Sequence, residues 1–111
     1  MASPVDQGAS GRRPTDRVPV DVIRYDPDLG VGTFWDDESR IRVEIWDSPE
    51  TNVVVSGNAA GLVSLARHLL TLAQADVPDG RHLDFDTYGG WLDEGSVGLR
   101  IEIVRGRWSP E

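Results

Sequence analysis

The chain has 111 residues, 39% of them hydrophobic and none of them cysteine. That is material for one domain with a core of its own, and it excludes disulfides, thiolate metal sites and cysteine nucleophiles. All 11 basic residues are arginine, as in a GC-rich, actinobacterial-type genome, so lysine chemistry is absent; the formal net charge of −8 disfavours nucleic acid and serves solubility or steers a basic partner.

Residues 1–17 are rich in Pro, Gly, Ser, Asp and Arg and predict a disordered tail ahead of a single domain over 18–108. Arg12-Arg13 is followed by Pro14, Thr15 and Asp16 instead of an apolar run, so it is not read as an export signal. No apolar stretch approaches the ~20 residues of a membrane span, and a reducing cytoplasm is the expected location.

The β-branched alternation of Val18 to Tyr25 predicts a first strand, and Asp26 to Gly30 a turn. Val31 to Trp35 and Arg40 to Trp46 then predict a hairpin around the loop Asp36-Asp37-Glu38-Ser39. In its second arm Ile41, Val43 and Ile45 share one face and Arg40, Arg42, Glu44 and Trp46 the other, the half-buried pattern. After the turn Asp47 to Glu50, Val53 to Val55 predicts another short strand.

Asn58 is suited to cap a helix in which Leu62, Leu65, Ala66, Leu69, Leu72 and Ala73 fall on one face, expected to cover the sheet. Ser64, Arg67, Thr71 and Gln74 fall mainly outside that face, and Pro78 and Gly80 end the element. His82 to Asp86 predicts a strand with Leu83 and Phe85 inward, and Val97 to Val104 a last one after the glycine-rich loop 88–95. The expected fold is α+β: an antiparallel sheet of about five to six strands, in β-β-β-β-α-β-β order, with one amphipathic helix on one face.

Chemistry-bearing constellations are few. His82, Asp84 and Asp86 alternate on one strand face, a spacing compatible with a metal or acid–base group but equally with a solvated strand face, which is the favoured reading. Ser56 and Ser64 have no neighbouring base, and mid-helix His68 reads as a partly buried structural residue. The turn Val55 to Gly61 lacks the spacing of a dinucleotide loop, and Gly61 there suits close helix packing. No catalytic residue, metal or cofactor is expected.

Trp35 stands beside the acids Asp36, Asp37 and Glu38 on one loop, and Trp91 beside Asp93 and Glu94 on another. Such loops suit a basic protein surface, with aromatic anchors and acidic steering, or are solvated turns over partly buried tryptophans. Trp46, Val104 and either Ile23 or Tyr25 could line the helix-free sheet face, as an interface or homodimer contact, unless a second layer covers them.

The segment from Val54 to Arg105 resembles the bacterial immunity proteins of polymorphic toxin systems, in the family numbered thirty-two. The likeness rests on Gly57-Asn58, Gly61-Leu62, Leu65-Ala66 with the following leucines, Pro78 with Gly80 and His82, and Gly95-Ser96 before an apolar strand. It implies a non-catalytic protein that neutralises a toxin domain by stoichiometric binding. A small homodimeric adaptor or regulatory module unrelated to toxins is the alternative.

Overall fold

The computed structural model describes residues 12–106 and Trp108. The tail expected over residues 1–17 lies, as far as residue 11, outside the described residues. The element order is β1 (Ile41–Trp46), β2 (Asn52–Gly57), α1 (Ala59–Leu72), β3 (His82–Phe85) and β4 (Leu99–Glu102).

The architecture is α+β, but the expected sheet of five to six strands is not formed. The strands make two antiparallel pairs, β1 with β2 and β3 with β4. Alternation places Ile41 and Val43 of β1 in the core, with Val55 opposite Val43. Leu83 and Phe85 do the same for β3, opposite Ile101 and Leu99.

The two pairs are joined by the segment before β4. The Asp93 amide donates to the Ile41 carbonyl at 2.7 Å and the Val97 amide to the Val43 carbonyl at 2.8 Å. The Val43 amide donates in turn to Ser96 Oγ at 3.1 Å. Residues 93–97 thus run alongside β1 in its own direction, and β1 is hydrogen-bonded on both edges.

The strands expected over Val18 to Tyr25 and Val31 to Trp35 are also absent. Neither stretch is paired as a strand; their backbone groups bond to side chains of α1 and of Gln74 just beyond it. Gln74 accepts from the Tyr25 amide and donates to the Ile23 carbonyl. His68 accepts from the Phe34 amide, Ser64 from the Asp36 amide, and Arg67 donates to the carbonyls of Asp21 and Phe34. The result is an arm laid across α1, and it carries Tyr25 and Trp35 into the core.

That arm explains why α1 is turned relative to expectation. Its buried residues are Gly61, Ser64, His68, Thr71 and Leu72, so of the expected leucine stripe Leu72 alone is fully buried. Leu62 and Leu69 are 48% and 49% exposed on the flank. Each buried arm amide needs an acceptor, and leaving one unsatisfied costs about 1–3 kcal/mol. Polar side chains therefore occupy the inner arc, while Leu65 and Leu72 supply the apolar contact. Leu69, Leu72 and Ala73 border a shallow groove with Ile101, Glu102 and Ile103 of the β4 side.

The helix start is held from two sides. Asn58 Oδ1 accepts from the Gly61 amide at 2.8 Å, the N-cap bond, and from the Arg40 amide at 3.0 Å. Asn58 Nδ2 donates to the Glu38 carbonyl at 2.8 Å. A Cβ at Gly61 would collide with the Arg40 backbone, so glycine there permits the close approach read from the sequence. The helix ends at Leu72 with Ala73 as C-cap, before Pro78 and Gly80 are reached.

Candidate partner-binding cleft

The inner arc of α1 builds the most organised side-chain cluster of the molecule. His68 is 1% exposed and its two ring nitrogens have different tasks. Nδ1 lies 2.7 Å from the Ser64 carbonyl and must donate; Nε2 receives the Phe34 amide at 3.0 Å and must accept. Only the neutral Nδ1–H imidazole satisfies both. Burial, opposed by the bond to Ser64 and aided by the nearby Arg67 charge, holds the His68 pKa below the ordinary 6.5.

Trp35 packs on that imidazole. The ring centroids are 4.5 Å apart, and Phe85 meets Trp35 edge-on at 5.1 Å. Trp91 stacks on the outer side of Trp35 at 6.2 Å with an interplanar angle of 22°. Such pairs contribute about 0.5–1.5 kcal/mol beyond their area burial. Trp35 is 7% exposed, whereas Trp91 is 40% exposed. The Trp35 Nε1–H is buried and has no acceptor among the described residues.

Around this stack, Trp35, Asp36, Asp37, Ser39, Gly90 and Trp91 line an open cleft of about 220 Å³. Serines hold the turn at its edge. Ser64 Oγ receives the Asp36 amide at 3.2 Å and lies 2.9 Å from Ser39 Oγ, which donates to the Ala60 carbonyl. The Asp36 carbonyl accepts from the Ser39 amide and closes the turn that presents Asp37 and Glu38. No hydrogen bond or ion pair occupies the carboxylates of Asp36 and Asp37 among the described residues. Arg40 is engaged with Asp93, and Arg67 with the arm carbonyls and the Phe34 ring at 4.8 Å.

The eight residues read from the sequence as partner-facing therefore separate. Trp35, Asp36, Asp37 and Trp91 meet at the cleft. Glu38 and Glu94 are exposed on their turns outside its lining. Asp93 is gripped by Arg40 through bonds of 2.9–3.2 Å, which hold its carboxyl below the usual range, and it borders a neighbouring hollow with Arg40, Arg42, Ser56, Gly57 and Asn58. Trp46 lies at the far end of β1, half-exposed, with its indole donating to Glu44 at 3.3 Å. Tyr25 is in the core, so the apolar row imagined on the helix-free face lacks that member.

His82, Asp84 and Asp86 form no site. Asp84 is bound by Arg100 at 2.7 Å, which holds its carboxyl below the usual range, and His82 Nε2 is 3.5 Å from it. Asp86 instead caps the Gly89 amide at 2.8 Å. Among the described residues no three acidic, histidine or cysteine side chains are grouped to hold a metal ion.

The sequence places Ser64, Arg67 and Gln74 outside the leucine face and marks His68 as structural, but it shows neither their hold on the arm nor the place of Ser39 and Gly90 at the cleft. One signal was available for that hold: four hydrogen-bonding side chains confined to one arc of an otherwise apolar helix.

No helix among the described residues is long and apolar enough to cross a membrane. Neither the curated proteins nor the solved structures contain a match to the chain. Residues 52–104 match the family model described as Immunity protein 32, which bears out the resemblance read over Val54 to Arg105.

Proposed function

We propose, taking the Immunity protein 32 match as the premise, that this chain neutralises a toxin by binding it stoichiometrically and without catalysis. The match over residues 52–104 is the observation that carries the reading. The contact surface we assign is the cleft between the arm and the loop after β3, lined by Trp35, Asp36, Asp37 and Trp91. A stacked tryptophan pair offers rigid area to desolvate, and two carboxylates without a partner among the described residues offer attraction for a basic surface.

The test is co-expression with the product of the adjacent gene, paired with affinity capture from lysate of the source organism. A stable 1:1 complex, together with rescue of cells from that product's toxicity, is the expected outcome. Recovery of the chain by itself would overturn neutralisation and favour a homodimeric adaptor. Its contact would then be the exposed end of the β1–β2 ladder, where the cross-strand pair Ile45 and Val53 lies on one face and Trp46 on the other.

A further inference from the structure

The outer edge of β2 is open, and its backbone chemistry specifies what can close it. Ile41 and Val43 turn their backbone groups toward residues 93–97, so the pairs Ile41–Gly57 and Val43–Val55 share no ladder bonds. By the same alternation the amides and carbonyls of Val53, Val55 and Gly57 point away from β1, where no described residue bonds them. The strand is exposed along its length except at Val54. It contains no charged residue and no proline, and its register with β1 has no bulge, so the usual devices that keep a strand edge from pairing are missing from it. Side chains beside the edge are left in water too: Val53 is 66% exposed and Val55 39%. Leu62, half-exposed, overhangs the far end of the strand, its Cδ2 3.4 Å from where a Gly57 Cβ would stand.

The geometry points to a second copy of this chain as the occupant, its β2 paired antiparallel with this one about a two-fold axis at Val55. That register sets Val55 opposite Val55 of the second copy and Val53 opposite its Gly57. Each such pair exchanges both N–H···O bonds, so every outward group of the three residues gains a partner. On the face shared with Ile41 and Val43, Val53 meets the Leu62 that overhangs Gly57 of the second copy. On the opposite face a row runs from Arg42 and Ser56 to Val54 and Glu44 of the second copy, and symmetry repeats it, so opposite charges align twice across the joined sheet. Moving the axis to Val54 would align Glu44 with Glu44 instead, so charge selects the register. An isologous contact of this kind closes as a dimer. The edge shares no residue with the cleft, so the pairing goes beyond neutralisation and stands or falls independently of it.

The experiment exploits the absence of cysteine from the chain. Full-length Val55→Cys and Val53→Cys are purified reduced, oxidised mildly and read on non-reducing gels. Residues opposed in a bonded pair stand ~5.5 Å apart at Cα, within disulfide reach, whereas the two copies of residue 53 are more than ~13 Å apart in this register. The expected result is a covalent dimer from Val55→Cys at least about tenfold faster than from Val53→Cys, although Val53 is the more exposed. Sedimentation of the wild type at about 100 μM should show a dimer. Val55→Lys, which sets like charges face to face, should weaken it at least about tenfold, while Trp46→Lys, on the other face of the ladder, should leave it within about twofold. Thermal melts of the variants check that the fold persists. A monomeric wild type, equal crosslinking at the two positions, or a dimer lost in Trp46→Lys and kept in Val55→Lys would overturn the pairing. A toxin captured by a monomeric chain in the co-expression experiment would uphold neutralisation alone.

Discussion

His68 shows how one side chain can tie the arm to the helix only in a single protonation state. Its Nε2 must stay bare to receive the Phe34 amide, so a second proton would set two donors against each other. The folded-state pKa lies below the unfolded value near 6.5, hence the unfolded chain binds the proton first as the pH falls. The stabilisation is therefore fully present above about pH 6.5 and declines below it, by at most about 1.4 kcal/mol per pH unit from this group. Urea titrations at pH 7.5, 6 and 5 should show that decline in the wild type and a flatter acid limb in His68→Gln. Parallel acid limbs would show that the decline belongs to the carboxylates. That His68 would be structural was legible in its mid-helix position. Its partner was not, because Phe34 is 34 residues away and makes the bond through its backbone, which no side-chain pattern records.

Among the elements, α1 gives the plainest lesson. Its existence, its Asn58 cap and the tight passage at Gly61 follow from spacing and from the chemistry of single residues. Which face it buries does not follow, because the leucine arc and the polar arc are both continuous. The choice falls to the arm, whose amides need acceptors that leucine cannot provide. Substitution separates the two faces. Leu72→Ala, at a buried position, should cost about 2–5 kcal/mol. Leu69→Gln, at a position half in water, should cost under about 1 kcal/mol. Chemical denaturation of both variants measures the difference; a larger loss at Leu69 would restore the leucine stripe as the core face. The same reasoning accounts for the missing strands at 18–25 and 31–35. Their β-branched residues favour extended backbone, but a strand also needs a neighbouring strand with free edges.

For the molecule as a whole, a charge of −8 on 111 residues shapes association more than folding. If Asp36 and Asp37 steer a basic partner, Asp36→Arg with Asp37→Arg should lower the association rate by roughly tenfold at low salt and by less at high salt, where screening shortens the reach of charge. Stopped-flow mixing with the captured partner at two ionic strengths reads this directly, and an unchanged rate would remove steering from the account. The acidic and aromatic loops were visible in the sequence, yet only four of their seven residues converge, since convergence depends on the arm crossing α1. The position of β1 has a consequence for ancestry and engineering alike. That strand precedes the family-matched stretch, yet it is bonded to β2 on one edge and to residues 93–97 on the other. A fragment starting at residue 52 would lose the strand bonded on both edges, so the matched stretch is shorter than the hydrogen-bonded scaffold it belongs to. The cleft straddles the same divide, with Trp35, Asp36 and Asp37 from outside the matched stretch and Trp91 from within it.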